Sequence, residues 1–493
     1  MISMWHTALK RPISVISVGL VSSLLAACAS QSVSDILEAN LSAPSLAAQQ
    51  RYLAEHPELK TTAKKAAWWH VFNDETLNQL VDRAIRQNLD LKLAFSKIDE
   101  SRAILGWRQS ANEPQVAFNA SYARAALSEY NPLVKLGAPT TPTDTWATNF
   151  SASWELDLWG YKDALEKAAN ARLLATELDA YYAQTILVSE LTKQYQSYRW
   201  VQKQLSLLNE KRKLIEAQSR LSQSRIQNGV TTSQEQDQWI AAKAELTASI
   251  NNLQHQENQY KNALTALIGE APHSLDDLLM ASSTMSQSRE LAVGIPSEWV
   301  SKRPDVLRAE AQLRASLADT DAANADFYPR ISLVGTVGVQ AFDRTDLGNW
   351  NARHYAIGPT FHLPIFDGGR LKTNLAISEV HQKQAAINYQ KTVLNAWHEV
   401  DDALDSYHVS IENLSTLENS LAAKQHALQM AKRNVQQGAQ PVSAILNSQN
   451  AVLDTEILLN AAKLNQQLSI NALYRAIGGS VAGENLTTAK VAS

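Results

Sequence analysis

Trp146-Ala147-Thr148-Asn149-Phe150-Ser151-Ala152-Ser153-Trp154-Glu155-Leu156-Asp157-Leu158 changes character at every step. The even positions, Trp146, Thr148, Phe150, Ala152, Trp154, Leu156 and Leu158, are mostly apolar, whereas Ala147, Asn149, Ser151, Ser153, Glu155 and Asp157 between them are small or polar. A period of two is that of a strand whose faces meet unlike surroundings. Residues 329–341 alternate similarly through Ile331, Leu333, Val337 and Val339, and so do Tyr355, Ile357, Phe361, Leu363 and Ile365. Strands of about ten residues, bordered here by Trp146, Trp154, Trp159, Trp350 and Tyr355, fit a membrane β-barrel with aromatic girdles. A half-buried sheet in a soluble domain has the same periodicity. If the strands span a bilayer the chain must oligomerise, because membrane barrels begin at eight strands and an open edge leaves backbone groups unpaired in lipid. Two copies make eight strands and three make twelve, and periodicity does not choose between them.

The same plan occurs twice, about 210 residues apart. Glu113-Pro114-Gln115-Val116-Ala117-Phe118, Leu156-Asp157-Leu158-Trp159-Gly160 and Arg225-Ile226-Gln227-Asn228-Gly229-Val230 form the first series. Tyr328-Pro329-Arg330-Ile331-Ser332-Leu333, Leu363-Pro364-Ile365-Phe366-Asp367-Gly368 and Asn434-Val435-Gln436-Gln437-Gly438-Ala439 repeat it in the same order. Shared order makes internal duplication the simplest explanation. Each unit reads as a helix, a strand, a loop, a second strand, a very long helix, a glycine turn and a returning helix.

The long helices, about 160–227 and 368–436, would each reach ~100 Å at 1.5 Å per residue, far more than a bilayer is thick. Shorter helices are expected near 75–113, 232–268, 298–326 and 441–477, so that two stacked end to end match one long helix. A strict heptad runs from Val393 through Val400, Tyr407, Leu414, Leu421, Leu428 and Val435, with Trp397, Leu404 and Ile411 at the complementary positions. This is left-handed coiled-coil patterning. Leu191, Tyr195, Tyr198, Val201, Leu205 and Leu208 give a looser version in the first half. The expected division is an N-terminal segment 28–74, a first repeat 75–269, a connecting segment 270–297, a second repeat 298–478 and a tail 479–493.

Upstream of this, Lys10 and Arg11, an apolar stretch over residues 13–25, and Leu25-Ala26-Ala27-Cys28 have the anatomy of a bacterial lipoprotein signal. Residues 1–27 are expected to be removed and Cys28 to become a lipidated N-terminus outside the cytoplasm. Ala29 and Ser30 follow, with no aspartate beside the cysteine, a pattern that resembles lipoproteins sent to the outer membrane. Losing Lys10 and Arg11 from 45 basic residues leaves 43 against 49 acids, a formal charge of −6 with no footprint for nucleic acid. Cys28 is the only cysteine, so no disulfide can staple the fold and stability must come from packing. Sparse, clustered Gly and Pro suit long uninterrupted helices.

Alternating strands joined twice to long helices behind a lipobox resemble the TolC-like outer membrane factors, and within them the lipoprotein branch that serves resistance-nodulation-division pumps. The residues that carry the likeness are Pro296-Ser297-Glu298, Lys302-Arg303-Pro304-Asp305-Val306, Arg308-Ala309-Glu310 and Phe327-Tyr328-Pro329-Arg330-Ile331-Ser332-Leu333. Trp68-Trp69, Phe72, Asp74, Leu77 and Asn88-Leu89-Asp90-Leu91 add the N-terminal helix, and Trp154-Glu155-Leu156-Asp157-Leu158-Trp159-Gly160 the strand-to-helix junction. The resemblance implies a mixed α and β membrane protein, a homotrimer with a twelve-stranded barrel in the outer membrane above a periplasmic helical barrel. It implies a passive, gated exit duct for small toxic compounds, driven by an inner-membrane pump through a periplasmic adaptor.

The resemblance places the turns at Gly229 and Gly438 at the periplasmic tip, with Arg225, Asn228, Val230, Thr231, Gln437 and Ala439 around the adaptor site. Relatives commonly ring the closed aperture with aspartates on the last helix, but Ala444 and Asn447 stand there in this chain. Gln440 lies nearby, and Glu235 and Asp237 of the first turn are the acids left to supply charge. Val435 likewise replaces a polar gate partner. No catalytic constellation is expected: the eleven histidines are dispersed, no His-Glu-x-x-His exists and no glycine loop follows a strand as a phosphate cradle. No metal site or cofactor beyond the covalent lipid is expected either. A type I protein-secretion outlet shares the implied fold, and a lipid-tethered periplasmic coiled-coil scaffold would share the helices but need no amphipathic strands. Mass spectrometry of the mature N-terminus should find a diacylated Cys28; a chain starting at Met1 or an unmodified Cys28 refutes the lipoprotein reading.

Overall fold

The computed structural model of the chain describes residues 67–280 and 300–479. The expected signal segment, Cys28, most of the connecting segment and the tail beyond 479 lie outside the described residues. A short 3-10 turn, Trp68–Phe72, precedes α1 (Glu75–Gln87) and α2 (Leu89–Ser110). Strands β1 (Gln115–Ala125) and β2 (Thr143–Leu156) lead into α3 (Tyr161–Gln227), which returns through α4 (Ser233–Ile268). The second half runs α5 (Pro304–Ala325), β3 (Arg330–Ala341), β4 (Arg353–His362), α6 (Arg370–Gln436) and α7 (Val442–Ala476).

The duplication is metrical. α3 and α6 both have 67 residues, so one shift of 209 carries Tyr161 to Arg370 and Gln227 to Gln436. α2 and α5 both have 22 residues, related by a shift of 215 from Leu89 to Pro304. Each long helix starts with a glycine in the left-handed region, Gly160 at φ 76° and Gly369 at φ 89°. An upstream aspartate secures the first turn each time. Asp157 accepts from the Asp163 amide at 2.8 Å, and Asp367 from the amides of Gly369 and Leu371, both at 2.9 Å. Those amides hold the Asp367 carboxyl below the ordinary carboxylate value.

Two expectations need correction. The helix read over 75–113 is two helices, because Asn88 leaves the helical region at φ −54°, ψ 130°. Its side chain accepts from the Leu91 amide at 2.7 Å and donates to the Leu267 carbonyl at 2.8 Å, which caps α2 and pins it to α4. The helix read from 298 starts at Pro304, whose ring favours the first helical position.

The four strands form one antiparallel sheet in the order β1-β2-β3-β4. Its register lines Phe118, Phe150, Val337 and Tyr355 in one row across all four strands. The adjacent row, on the other face, is Asn119, Asn149, Gly338 and His354. Asn119 donates to Asn149 and Ser151 at 3.1 Å each, so the polar face ties neighbouring strands through side chains as well as backbone. Gly338 is required by close approach, since a Cβ there would stand 2.2 Å from the Thr148 carbonyl oxygen. Every residue of β1 is exposed, so among the described residues nothing covers the apolar face of that strand. Among the described residues no helix is long and apolar enough to cross a membrane.

The main core lies among the helices, well away from the sheet. Trp68, Trp69 and Phe72 pack with Leu77, Leu80 and Val81 of α1, Leu191, Tyr195 and Tyr198 of α3, and Val400 and Leu404 of α6. Trp68 stacks on Tyr474 with ring centroids 5.2 Å apart. Burial pushes the Tyr198 hydroxyl up to about 12. The chain just before α1 is therefore built into the helical body. Farther down α6 the heptad residues Leu414, Leu421, Leu428 and Val435 are half-buried, but Ile411 is 40% exposed. A 3.6-residue helix drifts about 20° per heptad, and that drift carries single positions off a seam shared with successive neighbours.

Candidate functional site

Two helical hairpins, α3/α4 and α6/α7, end in turns that the duplication makes alike. The Val230 amide bonds back to the Arg225 carbonyl and the Ala439 amide to the Asn434 carbonyl, both at 2.8 Å. Gly229 at φ 67° and Gly438 at φ 72° take the left-handed conformation that this helix ending needs. Asn228 reinforces the first ending by donating to the Ser224 carbonyl at 2.7 Å. Gly229, Val230, Gln437, Gly438, Ala439 and Gln440 are all exposed at these turns.

The turns differ in charge. Arg225 meets Glu235 at 3.2 Å, and Thr231 donates to the other Glu235 oxygen at 2.7 Å, so an ion pair braces the first turn. The shift of 209 takes Arg225 to Asn434 and Glu235 to Ala444, which cannot form that pair. The second turn is held by backbone bonds alone among those described. Of the five residues expected at the aperture, Glu235 is thus matched by Arg225, and Asn447 accepts from Gln218 at 3.3 Å. Asp237 and Gln440 are exposed, and Ala444 is half-buried.

Arg303, Pro304 and Asp305 lie elsewhere, at the start of α5 beside the helical core. Arg303 is only 2% exposed. Its Nε and Nη2 grip Asp305 Oδ1 and Oδ2 at 3.0 and 2.8 Å, a bidentate fork. Nη2 also meets Glu399 of α6 at 2.7 Å, and Nη1 donates to the Ala476 carbonyl at the end of α7 at 2.6 Å. Burial opposes the charge, yet the bonds and charges of Asp305 and Glu399 outweigh it and raise the pKa above the ordinary arginine value. One side chain thereby ties the start of α5, the middle of α6 and the end of α7. Gly478 sits against the clamp at φ 87°, where a Cβ would fall 3.1 Å from Arg303 Cγ and 3.2 Å from Pro304 Cδ. Sequence reasoning found the arginine motif but missed Glu399 and the Ala476 carbonyl, which no local pattern connects to it.

A four-stranded sheet open at both edges is thus joined to helices of 67 residues that end in paired hairpin turns, the fold of a long α-helical body carrying a sheet that other copies can extend. The sequence profile of the outer membrane efflux protein family matches residues 80–270 and 295–479. OprJ of Pseudomonas aeruginosa is 30% identical over 422 residues, covering 84% of this chain and 86% of its own length. The cation efflux system protein CusC of Escherichia coli K12 is 27% identical over 416 residues, with 84% and 89% covered. The solved outer-membrane channel OprN superposes with a TM-score of 0.78 at 26% identity, covering 86% of this chain and 94% of that one. This chain belongs to the outer membrane efflux protein family.

Replacing Arg303 by methionine strands Asp305, the Ala476 carbonyl and part of Glu399, so the expected loss is about 3–5 kcal/mol, the cost of breaking a buried pair from one side. Thermal unfolding in detergent checks it. Arg303→Lys should fall between, keeping the charge without the fork, and an unchanged Tm in both variants would show that the clamp holds nothing.

Proposed function

We propose that three copies close a twelve-stranded barrel through the outer membrane and extend it as a helical duct into the periplasm. The duct is the passive exit of a tripartite efflux system, fed through a periplasmic adaptor by an inner-membrane resistance-nodulation-division pump. The observation that carries this reading is the sheet with two unpaired edges, β1 and β4, joined to helices too long and too polar to lie in a bilayer. In this reading residues 1–27 are a signal, Cys28 carries lipid, and the repeats span about 75–269 and 298–478. Arg225, Asn228, Gly229, Val230, Thr231, Gln437, Gly438 and Ala439 face the adaptor at the tips. Cargo follows from pump and adaptor, so none is assigned to this chain.

Pseudo-symmetry supports the assembly. Within the chain α3, which follows β2, packs on α5, which precedes β3, and the pairs Arg172–Asp319 and Arg308–Asp179 join them. The equivalent neighbours are α6, which follows β4, and the α2 that precedes β1 of the next copy. The shifts of 209 and 215 then set His381 opposite Ile104 and Asn388 opposite Leu93. Ile377, Val380, Ile387 and Leu394 of α6 are exposed, as are Leu89, Leu93, Phe95, Ile104 and Trp107 of α2. The ionic joint within a chain becomes an apolar joint between copies. The junctions agree: Trp159 docks after β2 by stacking on Tyr328 at 5.0 Å and donating to the Pro329 carbonyl at 2.8 Å. The same shift takes Trp159 to Gly368, which has no side chain to dock, and Phe366 just before it is 93% exposed and free to meet the next copy's Glu113-Pro114.

Leu93→Cys combined with Asn388→Cys should oxidise to a covalent trimer on a denaturing gel, while native mass spectrometry gives one trimer without oxidation. A closed dimer, or a trimer in which this pair never links, contradicts the assembly or its register respectively. At the tips, Ala444 and Asn447 leave the aperture with little fixed charge, so block by divalent cations should be weak. Ala444→Asp with Asn447→Asp should strengthen it by gathering like charges about a narrow axis. Planar-bilayer conductance with added divalent cation measures this, and strong block of the unmodified channel that survives Glu235→Gln with Asp237→Asn would place the controlling ring elsewhere.

A further inference from the structure

The apolar face of the sheet is charged at one end only. On it stand Val116, Phe118, Ala120, Tyr122 and Arg124 of β1, and Arg353, Tyr355, Ile357, Pro359 and Phe361 of β4. The residues of β2 and β3 on the same face add a single ionisable group, Asp144. Arg124, Asp144 and Arg353 all lie at the strand ends farthest from the long helices, whereas the helix-side row of Leu156, Ile331 and Phe361 is apolar. From Arg353 to Phe361 the strand climbs eight residues, ~26 Å at about 3.3 Å each, which matches the apolar band of an outer-membrane barrel. The arginines therefore sit at headgroup level, and aromatic rings flank them. Tyr122 and Trp146 lie with centroids 4.4 Å apart, and the Arg353 guanidinium lies 4.4 Å over the Trp350 ring.

Within one chain Arg124 and Arg353 occupy opposite edges of the sheet, and closure between copies makes them neighbours. The duplication repeats the β2–β3 pairing between β4 and β1 of the next copy. Leu156 matches Leu363 at a shift of 207, two fewer than along the helices because the β4–α6 junction is two residues longer, and β1 matches β3 at 215. The pair Thr148–Val339 then becomes Tyr355 beside Arg124 of the next copy. Arg353, two residues along on the same face, is the diagonal neighbour at about 7–8 Å between Cα atoms, within reach of long side chains.

Carboxylates do not balance this pair. Asp144 accepts from Tyr122 at 3.0 Å and stands 3.7 Å from Arg124, while Arg353 has no acid partner among the described residues. The loop acids Asp343 and Asp346 are bonded to Thr345 and Asn349. Two like charges side by side oppose closure unless an anion lies between them.

We propose that Arg353 of one copy and Arg124 of the next form a site, three to a trimer, for the phosphate monoester of a lipid in the outer leaflet. Planar guanidinium forks match phosphate oxygens, and a monoester offers three terminal oxygens to two arginines where a diester offers two. The acyl chains then lie on the apolar face between the arginines and the helices. This rests on the barrel reading, since an open sheet keeps the two arginines apart.

The full-length protein in detergent is titrated with bis-phosphorylated lipid A and followed by native mass spectrometry. Up to three lipids should stay on each trimer under conditions that strip phosphatidylglycerol. Arg124→Gln and Arg353→Gln should each lower retention several-fold, and Asp144→Asn, which removes the competing acid, should raise it. Excess inorganic phosphate should leave the lipid in place, because free phosphate has no chains to rest on the apolar face. Retention unchanged by the two arginine substitutions together, equal retention of phosphatidylglycerol, or an equal loss from Arg344→Gln in the loop overturns the proposal. Displacement by inorganic phosphate makes it a site for a soluble anion and overturns the lipid assignment. Absence of a trimer from the unmodified protein overturns the barrel reading instead.

Discussion

Backbone hydrogen bonding at two sheet edges governs the rest of this molecule. In hydrocarbon an unpaired amide or carbonyl costs several kcal/mol, and strands β1 and β4 each present a full edge of them. Among the described residues nothing answers that demand, because β1 and β4 lie at opposite edges of a four-stranded sheet. A neighbour must supply the pairing, and the same neighbour then stands beside α2 and α6, where apolar side chains are exposed. Closure of the sheet and burial of the helix faces are thus a single event in the proposed assembly.

Different seams do different work below the sheet. Apolar packing around Trp68, Phe72, Tyr198 and Val400 makes the helical body rigid, and the buried Arg303 fork ties three helices to it at one point. The seam within the first hairpin is apolar as well. Toward the turns the joint between hairpins is made by the Lys211–Asp454 pair and the Gln218–Asn447 bond, and the first hairpin adds its own Arg225–Glu235 and Lys243–Glu216 pairs. Duplication gave both halves the same backbone ending, while the loss of a Glu235 equivalent at Ala444 leaves one turn braced and the other not.

Much of this was legible in the residues. The ends of the long helices fall within a residue or two of where the glycines and periodicity put them, because Gly160, Gly369, Gly229 and Gly438 have backbone conformations that leave a mark in sequence. Alternation located all the strands that it was applied to, since a wall between lipid and water imposes it along every residue. The break at Asn88 was missed because its reason is a bond to the Leu267 carbonyl, 179 positions away. Glu399 was missed for the same reason, lying 96 positions from Arg303. Gln204, Lys211 and Gln218 of α3 passed for ordinary helix surface, and only their partners Asn460, Asp454 and Asn447 on α7 distinguish them from it.

The central claim is that each free edge is paired by another copy. Hydrogen exchange of the full-length protein in detergent or nanodiscs measures it directly, amide by amide. Paired edges predict that β1 and β4 are protected as strongly as β2 and β3. Fast exchange confined to the outward amides of β1 and β4, with β2 and β3 protected, would mean that the sheet stays open and would contradict the account.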